Sequence, residues 1–387
     1  MANDKKKKML SRIDDTLKQL KNNDFTFFFF VIDSKETPNG SMCYIYRMAK
    51  ELQNNGYKVK MLYQLENEYT QQELDDIKKN DYVGFDETRV FTGVTGWLGS
   101  EYSSLEHMNI LTEEWKVSPS DFLFIPEVFP GMMYETFKHN IPCKRCVILQ
   151  NYDNISKFIP LGVEWKNYGI TDAIVTTEYN EKMLKSIFPY MKTKIVSPYI
   201  SDMFRKPVEP KKLIVNIIAS EQNDINRIVK PFYWKYPIYK FVSFRELRNN
   251  QHYEYAERLK ESPITVWVDD KTSFGYSPLE AIKCGNVVIG KIPQNVPEWM
   301  GDEQGLFDNG IWFDNINDVP QILAKVVGSW MQDEIPEVIK DNMEATSRLY
   351  PYENFKQQLS TSIEELIEER IKEIEIVRSS VKNNDKL

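Results

Sequence analysis

Histidine and cysteine are scarce in this chain: His107, His139 and His252, and Cys43, Cys143, Cys146 and Cys284. With no hydrophobic leader after MANDKKKKML, the four thiols are expected to stay reduced and the chain to be cytoplasmic. Cys143 and Cys146 form a single C-x-x-C, with His139 before it. Structural zinc takes four ligands, and no second pair exists, so no metal is expected. Thioredoxin-like chemistry does not fit either, because Cys146 opens the strand-like run CVIL rather than a helix. The sequence lacks G-x-S-x-G, H-E-x-x-H and Walker patterns, which removes the commonest hydrolase, zincin and P-loop readings. Long apolar runs are also missing. FFFFVI at 27–32 is too short to span a bilayer and reads as a buried strand. Net positive charge is absent: the sum is −8, which argues against a broad nucleic-acid surface. The run Lys5–Lys8 reads as solvated, and no stable membrane insertion is expected.

What is present describes an ordinary globular protein. The 387 residues are 42% hydrophobic and 27% charged, enough for two domains with separate cores. A polar helix over 1–24 leads into the strand at 27–32. The turn cluster Pro38, Asn39, Gly40, Ser41 follows, then a helix from about Met42 to Asn55 with Ile45, Met48, Ala49 and Leu52 on one face. YKVKMLY completes a β-α-β unit, which implies a parallel sheet. DFLFIPE, RCVILQN, DAIVTT and KIVSPYI read as further strands. After the proline-bearing stretch PVEPKK (207–212) the rhythm restarts with LIVNIIA, YKFVSF, ITVWVDD, NVVIG and GIWFD. Helices then dominate, over about 319–331, 336–350 and 352–379. The last carries Ile363, Ile367, Ile371 and Ile374 as a packing stripe. The expected fold is α/β, with two doubly wound parallel-sheet domains and a helical tail: 1–207, 208–345 and 346–387.

The stretch SFGYSPLEAIKCG-NVVIG (273–290) carries the most specific signal. It reads as a glycine turn, a helix with Ser277 at the N-cap, Pro278 first inside and Glu280 three residues after the cap, a stop at Gly285, then a buried strand. A glycine-containing loop at a helix N-terminus suits an anion such as a diphosphate. As a capping box alone, Glu280 would have only a structural role. The stretch resembles the signature of retaining GT-B glycosyltransferases of the family-4 type: Phe274, Gly275, Leu279, Glu280, Ala281, Gly285, Val288 and Ile289 fall in register. Glu280 matches the second glutamate of the family's paired-glutamate motif. Thr272 stands where the first glutamate belongs, and Ser273 replaces the following glycine. Weaker similarity extends to Thr176, Pro198, Ile200, Asp202 and Phe204, and to Gly40–Ser41 in the first strand–loop–helix unit.

The resemblance implies two Rossmann-like domains facing across a cleft, with C-terminal helices crossing back to the first. It implies sugar transfer from a nucleotide-diphosphate donor to a glycan or other hydroxyl acceptor, with retention and without a cofactor or metal. The donor would meet Ser273, Phe274, Gly275, Tyr276 and Ser277, with Glu280 on the ribose and Thr272 near the sugar. Arg227 and Lys230 are the candidate cations for the departing diphosphate. Their alternative is a solvated helix face. On the first domain, Gly40 and Ser41 are candidates for close approach to substrate. Glu127, Gln150 and Asn151, at strand ends, are acceptor-side candidates. Asp269 and Asp270 would point to opposite faces of a strand, which argues against a metal site. The aromatic, glycine-spaced loop around Trp97 reads as a loop, with sugar stacking as its alternative. Two other functions stay open: a catalytically degenerate binding protein, favoured by Thr272, and an epimerase or phosphorylase on the same scaffold.

Overall fold

A computed structural model describes residues 2–269 and 274–383. The chain divides into two compact units. Unit 1 comprises 1–175, 181–196 and 356–387, and unit 2 comprises 176–180 and 197–355.

The N-terminal part of the chain runs α1 (Ala2–Lys21), β1 (Thr26–Phe30), α2 (Gly40–Asn54), β2 (Lys58–Tyr63), α3 (Gln71–Lys79), β3 (Glu106–Asn109), β4 (Phe122–Pro126), α4 (Pro130–Lys138), β5 (Lys144–Leu149), α5 (Asp153–Phe158), β6 (Asp172–Val175), α6 (Glu178–Ile187) and β7 (Lys192–Ile195). Its seven strands are all parallel, in the order β3-β2-β1-β4-β5-β6-β7. The first six follow the 3-2-1-4-5-6 order of a dinucleotide-type sheet. Strands covered on both faces need continuous apolar runs, and β1 (TFFFF) and β4 (FLFIP) supply them. Phe27, Phe29, Phe122 and Phe124 are fully buried, each worth about 1.5–3 kcal/mol of transfer free energy.

The second run is β8 (Ile214–Ile218), α7 (Gln222–Lys235), β9 (Ser243–Glu246), α8 (His252–Glu261), β10 (Ile264–Trp267), α9 (Tyr276–Lys283), β11 (Val287–Lys291), a hairpin of β12 (Gly301–Asp302) and β13 (Gly305–Leu306), β14 (Ile311–Phe313), α10 (Val319–Met331), α11 (Glu337–Thr346) and α12 (Tyr352–Asn383). Five parallel strands form the second sheet, in the order β9-β8-β10-β11-β14. This is the flavodoxin-like 2-1-3-4-5 order.

Helix α12 starts in unit 2, and from Lys356 onward it belongs to unit 1. There it buries Leu359, Ile363, Leu366 and Ile367 and is laced by ion pairs. Lys144 Nζ lies 2.6 Å from both Asp172 Oδ2 and Glu373 Oε1. Lys194 reaches Glu365 and Glu369, each at 2.9 Å. Arg370 donates to the carbonyls of Pro119 and Pro142, and Arg378 pairs with Asp14 of α1 at 2.6 Å.

Candidate functional site

In a doubly wound sheet, ligands gather beyond the carboxyl ends of the strands, where the strand order reverses. In unit 2 that point lies between β8 and β10. The loops after these strands run through Ala219–Glu221 and into Phe274–Gly275. Gly275 has φ +76° and is the N-cap residue of α9. Only glycine takes this left-handed geometry without strain. A Cβ there would also sit 3.0 Å from Cζ2 of the buried Trp299. Trp299 Nε1 donates to the Phe274 carbonyl at 2.6 Å, and Phe274 packs edge-on against Tyr276 and Tyr350. Buried Asn309 holds the Trp299 carbonyl at 2.6 Å and Thr346 Oγ1 at 2.9 Å. At the other end of α9, Lys211 donates to the Cys284 and Ser262 carbonyls and to the Asn286 amide oxygen. Burial pushes the Lys211 pKa down to about 8. The short helix is therefore fixed at both ends, with the positive end of its dipole at the carboxyl edge of the sheet.

The start of α9 differs from the reading of the sequence. Tyr276, not Pro278, is the first helical residue, Gly275 is the cap in place of Ser277, and no side chain caps the end. The left-handed turn at Gly275 brings the chain into the helix early. Pro278 is tolerated because the first-turn amides have no intrahelical acceptor. Glu280 therefore lies in the second turn, too deep for a capping box. It is buried, and its Oε1 is 3.7 Å from Nε2 of His252, the first residue of α8. The half-buried Tyr255 carries its hydroxyl inside, near the same carboxylate, and the hydroxyl pKa is pushed well up, first by burial and then by the charge of Glu280.

No protein-family profile matches the sequence, and no curated protein sequence matches it. Solved structures match its fold. Sucrose-phosphate synthase from Thermosynechococcus elongatus superposes with a TM-score of 0.56 at 10% identity, over 88% of this chain and 99% of that one. The pneumococcal O-GlcNAc transferase GtfA, in complex with UDP and GlcNAc, gives 0.57 at 10% identity, over 90% and 99%. Anabaena HepE, in complex with UDP-glucose, gives 0.52 at 10% identity, over 88% and 99%. The chain has the GT-B fold. Likeness at this identity is likeness of architecture.

Within unit 2 of this GT-B chain, the structure gathers Phe274, Gly275, Tyr276, Ser277 and Glu280 around one helix start. Thr272, Ser273 and Asp270 lie outside the described residues. Arg227 and Lys230 sit on α7 with exposed side chains rather than at its N-terminus. Arg227 is engaged by Asn317 Oδ1 at 3.2 Å and Asp224 at 3.7 Å. Reading the sequence missed two residues. Arg248, just after β9, donates from Nη2 to the Ala219 carbonyl at 3.3 Å, so a guanidinium stands at the end of β8. Glu246 holds its Nε at 2.8 Å. His252 is the other, and only the packing of α8 against α9 reveals it.

In unit 1 the acceptor-side candidates come together at the carboxyl ends of β4 and β5. Gln150 Nε2 reaches the Ser41 carbonyl at 3.4 Å. Gly40 and Ser41 open α2, which Asn39 caps through the Met42 amide. Glu127 is buried and accepts from the Asn151 amide at 3.0 Å and from Asn154 Nδ2 at 2.8 Å. Burial pushes its carboxyl pKa up despite these bonds. Glu127 thus anchors the 150–154 turn. Beside the switch point between β1 and β4, a cavity of about 380 Å³ is lined by Phe30, Gln64, Phe129, Tyr134 and Glu135, among others. Trp97 is buried and donates to Ser34 Oγ at 2.8 Å, so its loop offers no open ring face. The described residues contain no cluster able to hold a metal ion.

Replacing Gly275 by alanine is expected to cost about 1–3 kcal/mol from the left-handed backbone alone. The measurements are a lower thermal midpoint by calorimetry and a weakened response to nucleoside diphosphates. A midpoint equal to that of the parent would show that Trp299 and the φ angle do not constrain this turn.

Proposed function

We propose that the chain is a glycosyltransferase that moves a sugar from a nucleotide-diphosphate donor to a glycan or other hydroxyl acceptor, with retention and without an essential metal. The observation that carries this reading is the fixed glycine turn feeding α9 at the switch point of unit 2, with a buried carboxylate one turn deeper. The fold supports it, as do UDP and UDP-glucose in the GtfA and HepE structures. In this reading the start of α9 faces the diphosphate, and Glu280 accepts hydrogen bonds from the ribose hydroxyls. Arg248 takes the electrostatic part assigned from the sequence to Arg227 and Lys230: a cation at the strand end that offsets charge on the leaving diphosphate. The cavity beside β1 and β4, with Gln150 and Asn151 near it in the sheet, is the candidate acceptor surface.

The test is thermal denaturation with UDP, GDP or ADP. A ligand that binds only the folded state raises its stability by about 2.7 kcal/mol at 100 times its Kd. One of the three is expected to raise the midpoint. No response to any of them overturns the reading. Thr272, standing in place of a glutamate, favours a second reading, a protein that binds nucleotide sugar without turning it over. Binding of the donor with no nucleotide released across a panel of hydroxyl acceptors would establish it.

A further inference from the structure

The segment from α7 to β9 carries seven aromatic rings between Phe232 and Phe244, and the fold divides them by direction. Phe232, Tyr233, Tyr236, Tyr239 and Phe244 pack on the core of unit 2. Phe232 stacks on Tyr239, and Tyr233 donates to the Val242 carbonyl at 2.6 Å. The others face out: Trp234 is 75% exposed and Phe241 56%, with Ile238 between them at 76%. Lys230, Lys235 and Lys240 are exposed among them and make no ion pair among the described residues. Residues 227–242 contain no Asp, Glu, Asn, Gln, His, Ser or Thr. In a chain of net charge −8, this is a locally basic, aromatic and otherwise apolar corner. It lies at the amino-terminal edge of the sheet, where β9 begins, opposite the edge that carries the α9 turn.

Large apolar side chains grouped in the open mark a binding surface, and the chemistry narrows the occupant. A sugar platform pairs rings with amides or carboxylates that bond hydroxyls, and 227–242 has none. A second copy of this chain would set three lysines against three across a two-fold contact. Tryptophan with neighbouring apolar residues, ringed by lysines with long aliphatic stems, suits the interface of an anionic bilayer. There rings lodge at headgroup depth and the ammonium groups meet lipid phosphates. We propose that unit 2 docks reversibly on anionic membrane surfaces through Trp234, Ile238 and Phe241, with Lys230, Lys235 and Lys240 on the headgroups. No helix among the described residues is long and apolar enough to cross a membrane, so the contact is interfacial. The inference does not rest on the donor-site reading.

The test is co-sedimentation of the full chain with extruded vesicles of phosphatidylcholine alone or enriched in phosphatidylglycerol. The chain is expected to favour the anionic vesicles by roughly tenfold or more, less so as salt is raised. The triple change Trp234→Ala, Ile238→Ala, Phe241→Ala, and separately Lys230→Glu, Lys235→Glu, Lys240→Glu, are each expected to lower binding about tenfold. These side chains are exposed, and an unchanged thermal midpoint verifies the fold. Changing Lys5–Lys8 to glutamate is the control, expected to leave most binding in place. Three results would overturn the proposal: no preference for anionic vesicles, as for a site that takes an acidic protein; binding that survives both patch variants; or binding that follows Lys5–Lys8 alone.

Discussion

Glu280→Ala is expected to lower kcat/KM for the sugar nucleotide by roughly 100- to 1,000-fold. The magnitude follows from the two hydrogen bonds a carboxylate accepts from a ribose diol, together worth about 3–4 kcal/mol when charged and shielded. Glu280 is suited to this because α9 is fixed at both ends and the carboxylate is buried, with His252 beside it. A purely structural Glu280 would give a different signature. In Glu280→Gln, which keeps size, the thermal midpoint without ligand is expected to stay close to that of the parent. Stabilisation by UDP is expected to fall towards the level given by inorganic pyrophosphate, because in the proposed donor site the diphosphate contacts at the start of α9 survive while the uncharged amide, with one acceptor oxygen instead of two, holds the pentose more weakly. A UDP response of parental size in this variant would remove Glu280 from the site.

The largest effect on stability is expected from Lys144→Met. Burial works against the lysine charge, but Asp172 and Glu373 outweigh it and hold the ammonium pKa above its ordinary value. Burial alone would raise the Glu373 carboxyl, and the contacts with Lys144 and Arg370 outweigh it, holding that pKa below the usual range. Removing Lys144 leaves Asp172, buried in β6, without its cation. Breaking a buried pair from one side costs about 3–5 kcal/mol. For a protein of this size, that corresponds to a fall in Tm of roughly 5 °C. Adding Asp172→Asn and Glu373→Gln is expected to recover part of the loss. The sign with pH is fixed by Glu373. Its contribution is fully present above the unfolded carboxyl pKa and disappears as pH falls through the lower folded value. The Lys144→Met variant should therefore lose less stability than the parent on acidification. Equal acid sensitivity in the two would show that the cluster contributes nothing net.

The strands of both sheets were legible because buried parallel strands are short, unbroken apolar runs. β3 was not: its residues, EHMN, sit at the sheet edge and alternate too weakly to stand out. The sequence pattern puts β9 a few residues early, because the aromatic run before it serves a helix end and a turn. The α9 helix was legible, but its first residue was not. Ser277, Pro278 and Glu280 imitate a capping box, while the deciding quantity is the φ angle of Gly275. In the sequence the cations nearest to β8, Arg227 and Lys230, lie along α7. Arg248 reaches the end of β8 from the neighbouring strand, and only the sheet order brings the two together. His252 gave no motif, because its relation to Glu280 arises from one helix packing on another.

Unit 1 is assembled from three stretches of chain, and the third, from Lys356 onward, is made only after all of unit 2. Until it emerges, Lys144 and Lys194 lack their glutamates and the sheet lacks the helix bearing Ile363 and Ile367. Unit 2 has all of its residues once Phe355 is made. The usual N-to-C order of domain maturation during translation is therefore reversed: the later-encoded unit is complete first, and the one begun earlier waits for the stretch that follows Phe355.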